Sequence, residues 1–571
     1  MTTGQGSKSS RKREVSATDH QEIEWQFDAG DLESVEGWLG RYDSGSSGLR
    51  VATESTVEIT DTYYDTDDWR YYRAGYALRV RSKTDGEVEA TMKSLTPAEG
   101  SLRRRREISE PLEDDKPATL KKAAGPVGGR SRALVGRREM RSLFTLETHR
   151  QRFALLLEGS TDGNQEDTRI GEISLDTSEI PLGEEAIRLT RVEIEATLGK
   201  APNPDLHGFV DEMQYALELT PASSSKYETG LYASGLNPEG NSELGPTHID
   251  PSMSLGEVAF AVLRRQFAEM QEHEPGTRLG EDPEELHDMR VPTRRMRAAM
   301  KVFQGALPER ARWLREELRW VAQALGNVRD LDVQTERFQA WKREASEESS
   351  GFLDRILTIT HKRREEAREN MLEILDSVRY ERLVSSFAEM LRRGPEAELE
   401  LAQTNGKQRA GEPVTAAAPA LISRRYRKWR KAAKRLDETS PPEAFHDVRK
   451  KGKRLRYTLE FVSEVYGEPV QKLVEPLKAL QDDLGDHQDA VVTAEYLREL
   501  GTTAGGTRVP RGVAFTMGVY SERCTREAKD LRSVVPGSKP FRTLTKGKKW
   551  QKFEKVLESR NGASMPDKGV R

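Results

Sequence analysis

The second half of the chain contains the segment HDMRVPTRRMR at residues 287–297 and a close copy, HDVRKKGKRLR, at residues 446–456. A second pair, LGNVRDLDV at 325–333 and LGDHQDAVV at 484–492, lies at the same offset of 159 residues. Two matches at one offset are not expected from compositional bias, so this half contains an internal repeat. Charge-rich stretches with apolar residues at three- and four-residue spacing surround the motifs and predict helices. We therefore predict two similar helical bundles, packed as a pseudo-symmetric pair with converging motif surfaces.

Basic side chains form one ridge on each predicted motif helix. At 100° per residue, the basic positions of the first copy fall within an arc of about 80°. Four of these positions recur in the second copy, and few acids lie along either ridge. The ridge residues are His287, Arg290, Arg294, Arg297 and Lys301 in the first copy, and His446, Arg449, Lys453 and Arg456 in the second. Unpaired cations repel one another and phosphate oxygens would neutralise them, so we predict an oligophosphate-binding surface.

Other features of this half have ordinary structural explanations. The basic stretch RRYRKWRKAAKR at residues 424–435 is typical of a solvated helix face. Each motif histidine is interpreted as a hydrogen-bond donor to phosphate or, with nearly equal weight, as a helix-packing residue. Asp330 and Asp489 are interpreted as structural partners or helix-terminus contacts. An apolar stripe is predicted beside the first ridge, at Leu286, Met289, Met296, Met300 and Phe303.

These motifs resemble those of the CHAD family, the conserved-histidine α-helical domain, over roughly residues 253–558. The resemblance rests on HDMRVPTRRMRAAMKVF (287–303), HDVRKKGKRLRYTLEF (446–461) and LKALQDDLGDHQDA (477–490). It implies two four-helix bundles related by a pseudo-twofold axis, with repeats at about 253–400 and 419–558. It also implies a basic groove that binds inorganic polyphosphate. The ridge residues other than Lys301 match the family's motif directly.

The first part of the chain has a different pattern. Short segments of alternating polar and apolar residues, separated by Gly, Asp, Ser and Pro, predict β-strands. These segments are EIEWQF (22–27), YALRVRS (76–82), EATMKSL (89–95), REISEPL (106–112), FALLLEG (153–159), EISLDT (172–177) and RVEIEATL (191–198). Alternation alone also fits an ordinary sheet with one solvated face. A closed antiparallel barrel would instead bring the charged positions into one lumen, where carboxylates hold divalent ions and Arg or Lys hold phosphate.

Together with YYDTDDWRYYRAGYALRVRS (63–82) and SKYETGL (225–231), these segments resemble the CYTH family of triphosphate tunnel proteins over about residues 20–235. The resemblance implies an eight-stranded tunnel that binds triphosphate with Mg²⁺ or Mn²⁺ as cofactor. Its metal-side and catalytic acids would be Glu22, Glu24, Glu193 and Glu195. Its phosphate-binding positions would be Arg79, Arg81, Lys93 and Lys226. Further candidates for the lumen are Arg105, Arg152 and Asp176.

One residue departs from this family's pattern. The opening motif of the family is Glu-x-Glu-x-Lys, whereas this chain has Gln26 at the third position. Glutamine keeps its hydrogen-bonding capacity but lacks the positive charge. We therefore expect weaker phosphate binding at this point, and the sequence leaves open whether the tunnel is catalytic.

Length and composition indicate how many domains the chain contains. The 571 residues exceed the roughly 250–300 residues of a single core, so several domains are expected. We predict an α+β multidomain protein in which an antiparallel eight-stranded β tunnel precedes an all-α duplicated four-helix bundle. The predicted segments are a disordered tail at 1–19, the tunnel domain at 20–235, a linker at 236–252, the helical domain at 253–558 and a tail at 559–571. Between the repeats, TNGKQRAGEPVTAAAP (404–419) is predicted to be a flexible connector.

Net charge and cysteine content make some classes of binding partner and some cellular settings less favoured. A net charge of −4 argues against indiscriminate coating of DNA, and the ridges lack interleaved aromatic residues apart from Tyr426, Trp429 and Tyr457. Nucleic acid is therefore a lesser alternative. The single cysteine, Cys524, excludes an internal disulfide and favours a reducing, cytoplasmic setting, for example at polyphosphate granules. No run approaches the roughly 20 apolar residues that span a bilayer, so no membrane partner is expected.

Three functions compete at this point. In the leading hypothesis the helical domain binds inorganic polyphosphate or tripolyphosphate, and the tunnel hydrolyses phosphate ends with a divalent metal. In the second the protein is an organic triphosphatase or an adenylate cyclase-like enzyme, although no base pocket is recognisable in the sequence. In the third it is a non-catalytic module that localises to polyphosphate granules, which Gln26 favours.

Overall fold

The structure is a computed structural model, and it describes residues 17–42, 48–158, 167–183, 185–197, 204–238, 244–400, 409–503 and 510–562. The chain divides into two compact units, Met1–Asn241 and Ser242–Arg571. Most of the two predicted tails lies outside the described residues. In the described part of the chain, none of the helices combines the length and the apolar character that a membrane span requires.

The first unit is built on one antiparallel sheet. Its strands are β1 (Thr18–Asp28), β2 (Leu49–Thr66), β3 (Tyr76–Lys83), β4 (Val88–Ser94), β5 (Leu102–Pro111), β6 (Met140–Leu157), β7 (Thr168–Leu182), β8 (Glu185–Ala196) and β9 (Thr220–Pro221). Their order is β5-β4-β3-β2-β6-β7-β8-β1, with β9 beside β1. Because β1 also pairs with β5, the eight long strands close into a ring. The predicted eight-stranded antiparallel tunnel is thus confirmed.

Short helices flank the strands of this unit. They are α1 (Leu32–Leu39), α2 (Arg70–Arg73), α3 (Pro117–Lys122), α4 (Pro126–Val135), α5 (Pro204–Ala216) and α6 (Lys226–Ala233). Trp25 and Phe27 on β1 belong to a buried apolar cluster with residues of α1 and α5, so this face of the strand points out of the ring. A capping box between Ser225 and Glu228 begins α6 and places Lys226 in its first turn.

The second unit is helical, as predicted. Its helices are α7 (Leu255–Glu272), α8 (Glu274–Leu279), α9 (Pro283–Val302), α10 (Arg310–Glu344), α11 (Glu347–Leu375), α12 (Val378–Glu400), α13 (Val414–Ala433), α14 (Pro442–Glu460), α15 (Ser463–Tyr466), α16 (Glu468–Thr503), α17 (Arg511–Val534), α18 (Lys539–Lys546) and α19 (Lys548–Gly562). The motif helices are α9 and α14. The last helix continues to Gly562, which lies inside the predicted tail.

The repeat begins earlier in its second copy than predicted. Residues 404–408 of the expected connector lie outside the described part, but 414–419 form the first turns of α13 rather than a flexible segment. The alanines of this stretch favour helix. Leu255 and Val414, which begin α7 and α13, are again 159 residues apart.

A reciprocal pair of hydrogen bonds joins the starts of the two repeats. The backbone N–H of Leu255 donates to the carbonyl of Glu412 (2.8 Å), and that of Val414 donates to the carbonyl of Met253 (2.9 Å). Donor and acceptor exchange at the repeat offset, as a pseudo-twofold axis requires. One apolar core extends from Ile249 to Leu557, so the two repeats share a core.

Candidate functional site

The interior of the β ring holds a cavity of about 130 Å³ with charged walls. On β1, Glu22, Glu24 and Gln26 line this cavity, opposite in parity to the outward Trp25 and Phe27. Lining carboxylates and cations are equal in number, with six of each. They are Glu22, Glu24, Glu89, Glu107, Glu193 and Glu195, and Arg79, Arg81, Lys93, Arg105, Arg150 and Lys226.

One side of the cavity concentrates carboxylates around Lys93. Its Nζ lies 2.7 Å from a carboxylate oxygen of Glu22 and 2.9 Å from Glu107. Burial and the neighbouring carboxylate of Glu24 raise the pKa of Glu22 to about 8. Burial and acidic neighbours likewise raise the pKa of Glu195 to about 7. This side of the lumen therefore has more carboxyl groups than its cations keep ionised, and Glu22 and Glu195 retain a proton more readily than usual.

The other side is centred on Glu193. Its carboxylate accepts hydrogen bonds from Arg150 Nη2 (2.7 Å) and Gln26 Nε2 (3.4 Å), and lies 2.9 Å from Lys226 Nζ. Arg150 and Lys226 also contact Asp176. The charges of Lys226 and Arg150 outweigh burial and hold the pKa of Glu193 well below its usual range. Gln26 Oε1 is buried and finds no hydrogen-bond donor among the residues that the structure describes.

The remaining tunnel cations are also paired with acids. Arg81 forms a two-pronged ion pair with Asp61, at 2.7 and 2.8 Å, and Arg79 lies 3.7 Å from the same carboxylate. Arg105 donates a hydrogen bond to Glu24. A phosphate entering the lumen must therefore displace carboxylates from these cations.

The basic ridges of α9 and α14 lie beside one another in the helical unit. Arg294 Nη2 on α9 donates a hydrogen bond to the Tyr457 hydroxyl on α14 (3.1 Å). Burial, together with Arg294 and Arg449 from the two ridges, lowers the pKa of Lys453 to about 7. Arg290 and Arg294 of the first copy thus lie close to Arg449 and Lys453 of the second. We call the surface that these four residues share the ridge groove.

Two glycines of the second motif pair make room for ridge arginines. A Cβ on Gly326 would lie 3.7 Å from Arg290 Nε, and one on Gly485 would lie 3.7 Å from Arg449 Nη2. One turn beyond Gly326, Asp330 forms an ion pair with Arg290 (3.3 Å). The equivalent geometry in both copies explains why these motifs recur together.

The outer members of the ridges are half-buried or exposed. Burial and nearby cations lower the pKa of His287 and of His446 below the usual value. Arg297 Nε is buried and has no hydrogen-bond acceptor among the described residues. Its counterpart Arg456 lies 3.6 Å from the carboxylate of Glu460 on the same helix. Lys301 is exposed. The five residues of the predicted apolar stripe are all buried.

Comparison with known families identifies both halves. A model of the CYTH domain matches residues 40–216, and a model of the CHAD domain matches residues 261–498. The chain is a fusion of a CYTH domain and a CHAD domain. The resemblances noted in the sequence are thereby confirmed.

Individual proteins with similarity were also found. Uncharacterized proteins from two strains of Mycobacterium tuberculosis are 30% identical over 257 residues, which cover 42% of this chain and 46% of each relative. The match therefore spans less than half the length of these relatives. The CHAD domain of the plant Ricinus communis is 24% identical with a TM-score of 0.43, covering 54% of this chain and 97% of that one. A proposed adenylyl cyclase from Hippeastrum with a dominant triphosphatase activity is 15% identical with a TM-score of 0.26, covering 38% and 97%.

Within the CYTH domain, nine of the eleven residues predicted for the tunnel line the cavity, whereas Asp176 and Arg152 do not. Asp176 is buried and pairs with Arg150 and Lys226. Arg152 Nη2 instead donates to Ser55 Oγ (2.6 Å). The pairing of β2 with β6 shifts between Thr53 and Thr56, opposite Arg152, and this irregularity leaves Ser55 free to take the guanidinium. Simple alternation along β6 could not reveal that shift.

Several cavity residues were absent from the sequence predictions. Glu107 has the same strand parity as Arg105, and Arg150 the same parity as Arg152, so alternation would have found both. Asp61 lies opposite Arg81 in the β2–β3 register. Its role depends on that pairing, which the sequence does not display.

The CYTH cavity contains oxygen donors of the kind that a hard divalent cation takes. Its acids and the orphaned Oε1 of Gln26 are oxygen donors of the kind that Mg²⁺ prefers, and a cation would relieve the repulsion that raises the pKa of Glu22. Among the described residues, no three His, Cys, Asp or Glu side chains are already arranged to hold one ion. Pairing of Glu22 with Lys93 and of Glu24 with Arg105 accounts for that arrangement.

Proposed function

We propose that the CHAD domain binds inorganic polyphosphate in the ridge groove, and that the CYTH tunnel hydrolyses the ends of tripolyphosphate or polyphosphate with Mg²⁺ or Mn²⁺. The observation that carries the proposal is the convergence of cations from two repeats on one groove, where Arg294, Arg449 and Lys453 form no ion pair among the described residues. Burial and the charges of Arg294 and Arg449 lower the pKa of Lys453 to about 7 there, and a bound polyanion would stabilise its charged form.

In the tunnel, the proposed chemistry is an exchange of partners. Lys93, Arg105 and Lys226 would leave their carboxylates and hold phosphate oxygens, and the freed acids Glu22, Glu24 and Glu193 would hold the ion. A bound divalent ion neutralises phosphate charge and orients water.

Glu195 is the carboxylate to which we assign the proton of the attacking water. It lines the cavity and lies opposite Glu24 on the neighbouring strand. Among the described residues it forms no ion pair, whereas the other three predicted acids are held by Lys or Arg. A general base must be free to accept a proton within reach of the nucleophile.

A second candidate is a non-catalytic module that binds polyphosphate without turnover. Gln26 favours it, because a lysine at this position would give the cavity one more cation than acid. With the existing balance of charge, the tunnel attracts a polyanion only weakly unless a metal accompanies it.

Phosphate release from tripolyphosphate with Mg²⁺ or Mn²⁺ distinguishes the two candidates. We expect turnover by the wild-type chain and an increase of about tenfold in kcat/KM for Gln26→Lys, since a cation near phosphate adds about 1.4 kcal/mol or more. Competition by ATP reports whether an organic triphosphate shares the site. Absence of release in the wild-type chain, with release in Gln26→Lys, would favour the non-catalytic module.

The glycines under the ridge arginines give a steric test of the groove. Gly326→Leu with Gly485→Leu is expected to push Arg290 and Arg449 aside and weaken polyphosphate binding by about tenfold or more. Gly326→Ala with Gly485→Ala is the matched control, since a Cβ there meets only ordinary contacts at 3.7 Å. The alanines should leave affinity unchanged and raise the melting temperature, because alanine favours helix by about 1 kcal/mol over glycine. Equal affinities of the leucine and alanine variants would contradict this role for the arginines.

Lys453 gives the groove a pH dependence. Burial and adjacent cations lower its pKa to about 7, and a bound polyanion would raise it, so binding takes up a proton. Affinity for long-chain polyphosphate should therefore be greatest below about pH 7 and fall by up to about tenfold per unit above it. Lys453→Arg keeps its charge and should flatten the profile between about pH 7 and pH 8.5. Titration calorimetry across this range checks both profiles, and an unaltered slope in Lys453→Arg would refute the assignment.

A further inference from the structure

A second basic pocket adjoins the ridge groove of the CHAD domain. It has a volume of about 960 Å³ and is bounded by residues of α9, α10, α13 and α14. It shares Arg294, Arg297 and Lys301 with the first ridge, so the two surfaces are continuous. Ten Lys and Arg side chains line it against one carboxylate, Glu316. We call it the side pocket.

Most of the cations that α13 and α14 contribute lack internal counterions, although Lys451 on α14 pairs with Asp447. Helix α13 contains no acidic residue from Val414 to Ala433, so pairing along its own turns cannot occur. In the described chain, Arg424, Arg425, Lys428 and Arg454 form no ion pair, whereas other basic residues of the unit commonly do. Burial and the charges of Arg424 and Arg454 lower the pKa of Arg425 to about 10. Arg424 and Lys428 of this basic stretch are exposed, as the sequence predicted, and they also line the side pocket.

The α10 side of the side pocket is only partly neutralised. Arg315 and Arg319 share Glu316, at 3.2 and 3.8 Å. One carboxylate between two guanidinium groups leaves a net positive charge facing the unpaired residues of α13. An external anion is the partner that this arrangement lacks.

Aromatic residues nearby are not available to nucleobases. Tyr426 and Trp429, which interrupt the basic run of α13, are buried in the apolar core, and Trp550 stacks on Tyr426 with ring centroids 3.9 Å apart. No aromatic side chain is among the residues that line the side pocket. Single-stranded nucleic acids are held largely by such stacking platforms, so the side pocket favours an anion without bases.

We propose that the side pocket binds a further stretch of a linear polyphosphate whose other part lies in the ridge groove. The proposal rests on the proposed function of that groove and assigns it a preference for long chains. From His287 to Lys301 the ridge extends over roughly 21 Å of helix, at 1.5 Å per residue. A three-phosphate ion touches only part of this distance, whereas a long chain follows the ridge and enters the side pocket.

The test compares ligand lengths on the full chain. The pocket variant is Arg424→Gln, Lys428→Gln, Arg454→Gln, and the matched control is Arg427→Gln, Lys431→Gln, Lys434→Gln, which removes three exposed cations that do not line the pocket. Affinities for tripolyphosphate and for a series of longer polyphosphates are measured with chelator present. For the longest chains we expect the pocket variant to bind about tenfold or more weakly, with a salt slope lower by about 2. For tripolyphosphate we expect less than about a twofold change, and the control should differ little at any length.

Each alternative result has a definite meaning. An equal loss of affinity at every ligand length, or no loss of affinity for long chains, would contradict the assignment of the side pocket. Neither result would contradict polyphosphate binding in the ridge groove. A single-stranded RNA that binds as tightly as polyphosphate and loses as much in the pocket variant would also overturn it, in favour of a phosphodiester ligand. If the wild-type chain binds no polyphosphate at all, the proposed function itself is wrong.

Discussion

Replacing Glu22 and Glu24 together with glutamine is expected to abolish metal-dependent phosphate release from tripolyphosphate. Both acids line the CYTH cavity, and they are the oxygen donors beside Lys93 and Arg105. Loss of two hard ligands removes several kcal/mol of transition-state stabilisation, which corresponds to a fall of about 10³-fold in kcat/KM. Steady-state phosphate release at varied Mg²⁺ or Mn²⁺ measures this, and the metal concentration needed for half-activity should rise in either single variant.

A matched variant separates this effect from a general loss of charge. Glu113→Gln with Glu185→Gln removes two exposed carboxylates of the same domain that do not line the cavity. We expect it to retain wild-type turnover, since surface charges contribute little. Lys93 keeps its contact with Glu107 in the tunnel variant, so the fold should persist, and thermal melting checks this. A folded tunnel variant that still releases phosphate would show that these acids do not hold the reacting complex.

Neutralising four cations of the ridge groove is expected to have an effect of similar size on binding. The variant Arg290→Gln, Arg294→Gln, Arg449→Gln, Lys453→Gln should bind long-chain polyphosphate about 10³-fold more weakly. The slope of log affinity against log salt should fall by about 3, since each lost phosphate contact removes about 0.7 to 0.9. Isotherms at several salt concentrations give both quantities.

The same variant has a distinctive effect on stability. In the free protein burial, together with the charges of Arg294, Arg449 and Arg290, lowers the pKa of Lys453 to about 7, so removing these cations relieves a repulsion. We expect the melting temperature to stay the same or rise while binding is lost. The control is Arg355→Gln, Lys362→Gln, Lys529→Gln, Lys552→Gln, four exposed cations outside the groove and the side pocket. An equal loss of affinity in this control would mean that net charge, not the groove, determines binding.

Repetition and alternation made much of this architecture predictable. The 159-residue offset that relates His287 to His446 also relates the starts of α7 and α13, because each repeat is one folding pattern used twice. Strand parity placed Glu22 and Glu24 inside the ring and Trp25 outside it, since a closed barrel has one polar and one apolar face.

What the sequence could not supply depends on register and on contacts between elements. Arg152 does not line the cavity, because the pairing register of β2 and β6 shifts locally opposite this residue. A register shift of this kind has no signature in the sequence of either strand alone. Pairing of Asp61 with Arg81 likewise required the register. The basic run of α13 was interpreted as a solvated face, and most of its cations are exposed. That Arg424 shares a pocket with Arg454 depends on the packing of α13 against α14, which the sequence does not display.

The most direct test of the account is a titration of the wild-type chain with long-chain polyphosphate in the presence of a metal chelator, repeated at several salt concentrations. The ridge groove binds through its own Arg and Lys side chains, so saturable binding should persist without metal and weaken linearly in log salt, with a slope of about −3 or steeper. The absence of saturable binding under chelation, or an affinity that does not change with salt concentration, would contradict the assignment of the groove as a polyphosphate site.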